Sequence, residues 1–308
     1  MSQNAEFKTV DGITLRGILF PTSQRGPAII MTPGFNCVKE MSLPAVAKRF
    51  QKAGITAFVY DPRTIGESDG LPRNDIDPAQ QVEDLSDALT FMTTLPSVDS
   101  ECIGLWGHSY SGMIALVAAS IDKRAKFVIA VCPMVITHMP YKVPQAFEMS
   151  IQDKERRLQG NGPLYNPPFN IDGTPILDFP VSAGQEAERF MIGAPKRGAK
   201  NYVHHVTVQT FARTVKWQPH GLLEFLKSTP VLFLVPENDG IVSPKDQLNM
   251  FNSLSTPKRL YIGKGKTHFT ILGSDTADVV QNCQIRFIRD SLEGNVRQDK
   301  RQSSDSKL

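Results

Sequence analysis

The chain has 308 residues with 41% hydrophobic and 21% charged content, and a formal net charge of +3. These are ordinary globular values in a length that is long for one domain and short for two, and so small and evenly spread a positive charge argues against nucleic acid as a partner. Cys37, Cys102, Cys132 and Cys283 form no C-x-x-C pair, which argues against a zinc site and suits a reducing compartment; no metal and no organic cofactor are expected.

Taken in chain order, "FKTVDGITLRGILF" reads as a hairpin turning at Asp11-Gly12. "PAIIMTPG", "ITAFVYD" (55–61), "CIGLWG" (102–107), "KFVIAVCP" (126–133), "VLFLVPE" (231–237) and "KRLYIG" (258–263) are short, nearly continuous apolar runs. Such runs suit strands buried on both faces. Between them lie helical patterns. In "DPAQQVEDLSDALTFMTTL", Val82, Leu85, Leu89 and Met92 share a face behind an Asp77 cap and Pro78. "YSGMIALVAAS", "SPKDQLNMFNSL" and "TADVVQNCQIRFIRDSL" follow the same logic. Alternating strands and helices predict an α/β class with a doubly wound, mostly parallel sheet. The interval between Pro133 and Pro230 exceeds one crossover and predicts an inserted helical lid. The expected organisation is a core in two parts, 1–133 and 226–294, a lid over 134–225 with Phe147, Phe190, Phe211 and Trp217 as candidate acyl contacts, and a disordered tail over 295–308. The N-terminus does not read as a signal peptide, no apolar run reaches membrane-spanning length, and no membrane anchor is expected. The tail closes on Ser306-Lys307-Leu308, a tripeptide read by the peroxisomal import receptor, so a peroxisomal location is expected.

Two segments compete for a serine nucleophile. "GESDG" (66–70) matches G-x-S-x-G literally, and "GHSYSGM" (107–113) misses it by one residue. The chemistry needs a sharp strand-to-helix turn with positive φ at the serine and small neighbours two residues to either side. "GESDG" is separated from its strand by Asp61, Pro62 and Arg63 and is followed by a proline-rich stretch, so Ser68 reads as a loop residue. "CIGLWGHSYSGMIALVAAS" runs from strand directly into helix, which selects Ser109; Ser111, already inside the helix, is the weaker competitor.

A serine hydroxyl needs a base, and the base an orienter. In this architecture they follow in the order Ser, Asp or Glu, His. "ENDGIVSP" offers Glu237 and Asp239, and "GKGKTHFTI" offers His268 after the final strand. Asp239 lies deeper in its loop and is preferred. His108 is expected to project away from the site, and Cys37 to serve in packing. The oxyanion donors are expected to be the backbone N–H groups of Tyr110 and of Phe35, after "IIMTPGF".

With these residues placed, the sequence resembles the α/β-hydrolase superfamily, and within it a branch of bacterial and fungal hydrolases that includes fungal polyketide transferases and thioesterase-like enzymes. The resemblance is carried by "PGFNCVKEM" (33–41), "AGITAFVYDPRTIGESDG" (53–70), "IDPAQQVEDLSDALTFMTTLPSVD" (76–99), "IGLWGHSYSGM" (103–113), "PENDGIVSP" (236–244) and "GKGKTHF" (263–269). It implies Ser109 as nucleophile, Asp239 as acid and His268 as base, and explains "GESDG" as the loop after the fourth strand. Pro33 stands where the branch often has His, and His108 where it often has a small residue. The implied activity is a serine hydrolase or acyltransferase on an ester or thioester, acyl-CoA or polyketide-like; a peptidase and a non-catalytic binding protein are the alternatives. Together with the peroxisomal ending, the chain is similar to hydrolases of fungal host-selective toxin pathways that make epoxy-decatrienoic acid esters.

Overall fold

The computed structural model describes residues 1–135, 143–168, 181–273 and 277–297. The expected tail, with Ser306, Lys307 and Leu308, falls outside these apart from its first residues. Strands β1 (Gln3–Lys8) and β2 (Thr14–Phe20) form the predicted hairpin, with β2 antiparallel to β4 (Thr56–Tyr60). From there the strands run parallel: β4, β3 (Gly26–Thr32), β5 (Val98–His108), β6 (Val128–Val131), β9 (Val231–Pro236) and β10 (Lys258–Gly263). The whole is an eight-stranded sheet in the order β1-β2-β4-β3-β5-β6-β9-β10.

The inner strands β3, β4, β6 and β9 are buried on both faces, as their apolar runs require, whereas β10, read from its sequence as a run of the same kind, is an edge strand and is mostly half-buried. In β9, Val231, Phe233 and Val235 enter one core cluster and Leu232 and Leu234 the other, which is the period of two expected of a strand. One cluster lies under α2 (Pro78–Thr93) and α3 (Tyr110–Ile121). The other lies under α1 (Leu43–Lys52) and α8 (Ala277–Leu292). Each fully buried Leu, Val or Phe contributes about 1.5–3 kcal/mol, so the strands are held mainly by these two layers. Helix α2 starts as expected: the Asp77 side chain accepts from the N–H groups of Ala79 and Gln80. Helix α1 is not anticipated above, although Leu43, Val46, Ala47 and Phe50 are spaced for one face.

Between β6 and β9 stand α4 (Val143–Leu158), the two-residue strands β7 (Tyr165–Asn166) and β8 (Val206–Thr207), α5 (Val181–Ile192) and α6 (Val208–Lys216). Helices α4 and α6 are joined through buried Gln209, which donates to Asp153 at 2.7 Å and to the Ser150 carbonyl at 2.8 Å. This insert is stitched to the loop after β4: Ile76 N–H donates to Thr210 Oγ1 at 2.9 Å, and Arg213 pairs with Asp75 at 2.6 Å. Helix α7 (Pro244–Ser253) follows β9. Among the described residues no helix is long and apolar enough to cross a membrane.

Candidate active site

Strand β5 passes into α3 through one residue. Ser109 holds φ 58 and ψ −119, a left-handed conformation that costs a non-glycine residue energy and is kept where the surroundings enforce it. The enforcement is visible. A Cβ on Gly107 would lie 1.9 Å from the Ser111 carbonyl oxygen, and one on Gly112 would lie 3.1 Å from Pro133 Cα. The Ser109 carbonyl accepts from Gly112 N–H at 2.9 Å and Met134 N–H at 3.0 Å. Ser111 is spent otherwise: its hydroxyl donates to the Pro33 carbonyl and ties α3 to the turn after β3.

Ser68 sits in a different environment. It is 1% exposed, donates to the Asp61 carbonyl at 2.6 Å and accepts from Arg16 N–H at 2.9 Å. Its loop is organised by the Asp61 carboxylate, which accepts from Glu67 N–H, Lys39 N–H and Lys39 Nζ at 2.9, 2.7 and 2.8 Å. Gly66 is required there, because a Cβ would lie 2.3 Å from Asp61 Oδ2. Burial alone would lower the Lys39 ammonium, but Asp61, Glu67 and Glu40 around it hold it above its ordinary value. Lys39 belongs to the segment that follows the Gly34-Phe35 turn, so the GESDG loop braces that turn from behind.

His268, 1% exposed, points Nδ1 at the Asp239 carboxylate, 2.9 Å from Oδ2 and 3.0 Å from Oδ1. Asp239 also accepts from the N–H groups of Ile241 and Val242 and from Gln247 Nε2, each at 2.9 Å. Burial works to raise this carboxyl, yet the facing imidazole and the backbone donors bring it below the usual value. An Nδ1–H given to the carboxylate leaves Nε2 as the proton acceptor. Glu237, the other candidate, is exposed, and its carboxylate accepts from Gly265 N–H at 2.8 Å. It supports the histidine loop without approaching the imidazole Nδ1 that Asp239 occupies.

Ser109 and His268 line one cavity, whose other walls include Met134, Phe190, Met191, Ile241 and Phe269. Phe35 and Gly34 line it as well. A Cβ on Gly34 would stand 3.5 Å from Ser109 Cβ, so that turn packs directly on the serine. Tyr110 is the first residue of α3, where an N–H has no intrahelical acceptor, and its ring meets Phe35 edge-on at 5.4 Å. Of the insert aromatics, Phe190 reaches the cavity, stacked on Phe269 at 4.6 Å. Phe211 and Trp217 pack in and against the core, and Phe147 on α4 is half-buried. Cys37 also lines the cavity; burial pushes its thiol up to about 12, which keeps it protonated.

The structure corrects the expectation for His108. The residue lies on the cavity wall, and its Nε2 bonds the His268 carbonyl at 3.2 Å. The reason is that the loop after β10 carries His268 back to the end of β5, where its carbonyl meets the His108 ring and the two imidazoles stand 5.1 Å apart. Burial first, and His268 second, lower the His108 imidazole to about 3, so it is neutral. Its adjacency to Ser109 in sequence carries no signal of this contact, which spans loops far apart in the chain.

A model of the family described as serine aminopeptidase S33, of the Hydrolase_4 type, matches residues 27–275. The chain belongs to this α/β-hydrolase family. Within the family it is 44% identical over 288 residues to a thiohydrolase of Eupenicillium brefeldianum, covering 93% of this chain and 94% of the relative. It is 40% identical over 287 residues to the polyketide transferase grgF of a Penicillium species, covering 93% and 95%. Among solved structures, DcsB in complex with its substrate analogue superposes with a TM-score of 0.89 at 41% identity, over 94% of this chain and 100% of that one. The α/β-hydrolase fold and the likeness to fungal polyketide transferases and thiohydrolases anticipated from the motifs are therefore both met.

Proposed function

We propose that this α/β-hydrolase enzyme is a serine hydrolase or acyltransferase acting on an acyl ester or thioester. The observation that carries the reading is the meeting, in one apolar cavity, of a serine on a left-handed strand–helix turn and an imidazole oriented by a buried carboxylate. Ser109 Oγ attacks the acyl carbonyl while His268 Nε2 takes its proton. The tetrahedral oxyanion rests on the N–H groups of Phe35 and Tyr110. Collapse expels the thiol or alcohol, which takes the proton back from His268, and leaves Ser109 acylated. Water or an acceptor alcohol then repeats the sequence, giving acid or transferred ester and restoring the serine. Asp239 holds His268 in the tautomer that this needs. The apolar walls suit a fatty-acyl or polyketide chain, and the relatives' names support a place in fungal secondary metabolism.

The test is labelling with an alkyl fluorophosphonate followed by peptide mapping. A stoichiometric adduct on Ser109 is expected; folded protein that stays unlabelled would overturn the reading and leave a binding protein. A panel of thioester, ester and amide substrates, with and without added alcohol, separates transfer from hydrolysis. Faster turnover of the amide would move the assignment to a peptidase. Peroxisomal import through Ser306-Lys307-Leu308 is part of the proposal, as is the toxin-pathway role that leans on it. N-terminally tagged protein is expected in peroxisomes, and in the cytosol once the tripeptide is removed. Cytosolic full-length protein would end both.

A further inference from the structure

A buried hydrogen-bond chain connects the cavity wall to the insert, and the chemistry above makes no use of it. Asn36 follows Phe35 in the turn after β3; it is 1% exposed and holds φ 54. Its Nδ2 donates to the Val203 carbonyl at 2.9 Å, and its Oδ1 accepts from Asn74 Nδ2 at 2.9 Å. The Val203 carbonyl can only accept, which settles the orientation of the amide. Asn74 is itself 4% exposed with φ 53. Its N–H donates to the Thr64 carbonyl and its carbonyl accepts from Thr207 N–H, each at 2.9 Å. The turn after β3, the loop after β4 and the insert segment 203–207 are thus joined through two left-handed asparagines.

The choice of residue is informative. Glycine adopts φ near 54 at no steric cost, so the turn by itself calls for glycine. A buried carboxamide costs free energy unless its donor and acceptor are both satisfied. Its presence makes sense where the turn has to be held against its neighbours. What lies beside it is the Phe35 N–H, one peptide upstream, and displacing a catalytic group by about 1 Å costs on the order of 100-fold in rate.

We propose that Asn36 is a positioning residue, whose carboxamide fixes the direction of the Phe35 N–H by clamping the turn to Asn74 on one side and to Val203 of the insert on the other. Oxyanion stabilisation then depends on the insert being seated. The proposal rests on the Ser109 reading.

Asn36→Gly tests it, since glycine keeps the backbone conformation and deletes the clamp. The expected result is kcat lowered about 30- to 100-fold with KM within about 3-fold. Affinity for an alkyl boronic acid, which forms a tetrahedral anion on the serine, falls by the same factor as kcat/KM. Asn74→Gly, which likewise keeps a backbone at φ 53, acts in the same direction, and the double variant is no worse than Asn36→Gly, because that variant has already broken the Asn36–Asn74 link. Unchanged kcat in Asn36→Gly, or lowered kcat with unchanged boronate affinity, overturns the proposal. Should Asn36→Gly fail to fold, Asn74→Gly decides by the same two readouts. Wild-type protein that takes no fluorophosphonate on Ser109 refutes the underlying reading. Wild type that labels normally beside an Asn36→Gly of undiminished boronate affinity refutes the clamp alone.

Discussion

The loop at 66–70 and the turn at 107–113 carry nearly the same letters, and their serines are both buried, Ser68 at 1% and Ser109 at 6% exposure. They differ in what surrounds the hydroxyl. Ser68 Oγ is engaged as donor and acceptor with backbone partners from two other segments, inside a loop wound around the Asp61 carboxylate. Ser109 stands on a strained turn at the mouth of a helix, against an apolar cavity that it shares with His268. A pattern of five letters describes spacing, whereas nucleophilicity depends on an accessible hydroxyl, a base and a pair of donors. In the more perfect match Gly66 makes room for a carboxylate brace and Gly70 packs on Thr64, whereas in the imperfect match the glycines permit a strand and helix to meet.

The comparison breaks most sharply on activity. Ser109→Ala is expected to lower kcat by up to about 10⁶-fold while circular dichroism and thermal stability stay near wild type. Ser68→Ala is expected to keep kcat within about 3-fold and to lose about 1–3 kcal/mol of stability, since it leaves buried backbone groups unpaired. Steady-state kinetics with denaturant titrations on both variants check this; interchange of the two results would put the nucleophile in the loop. Next comes the orienting acid. Asp239→Asn should cost about 10⁴ in kcat by leaving His268 in the wrong tautomer, and Glu237→Gln no more than about 3-fold. The opposite ranking would move the acid to Glu237.

The brace behind the turn is expected to show in stability. Lys39→Met removes the cation from a carboxylate that is 0% exposed, and breaking such a buried pair costs about 3–5 kcal/mol. Urea unfolding measures it, and a loss under 1 kcal/mol would mean that the loop holds without the pair. The smallest effect concerns His108. In the unfolded chain this imidazole takes up a proton below about 6.5, but in the folded protein it does so only near 3. Between those values the unfolded state binds more protons, so stability falls as pH falls, by up to about 1.4 kcal/mol per pH unit. Asp239, whose carboxyl is lowered in the folded state, loses its contribution only at lower pH, as the pH drops from the ordinary carboxylate range through its folded value. Unfolding free energies at pH 7 to 5 should therefore decline less steeply in His108→Gln than in wild type. Equal slopes would show that His108 is not held neutral.

The order of strands and helices, the Asp77 cap and the turn at Ser109 are legible in the sequence because each is a local matter. Apolar runs, 3.6-residue spacing and glycine next to serine act through neighbours within a few residues, and the chain records them directly. The helix α1 is the instructive omission, since its apolar face is present in Leu43, Val46, Ala47 and Phe50 but its N-cap, Ser42, is left-handed and makes no side-chain cap. Asp239 against Glu237 is half legible: both are offered by one loop, and depth in that loop favours Asp239, but only the course of the backbone brings Asp239 to 2.9 Å from the imidazole.

By itself, then, the sequence determines that this chain is a wound α/β sheet with a serine at a strand–helix turn, because hydrophobic period and turn chemistry are properties of contiguous residues. The tertiary structure alone decides that His108 bonds the His268 carbonyl, that Ser68 is sealed between Arg16 and Asp61, and that Asn36 joins the turn to the insert. Each of these is a hydrogen bond between segments far apart along the chain. Such a bond forms where folding happens to set a donor about 3 Å from an acceptor, and no spacing along the chain encodes that distance.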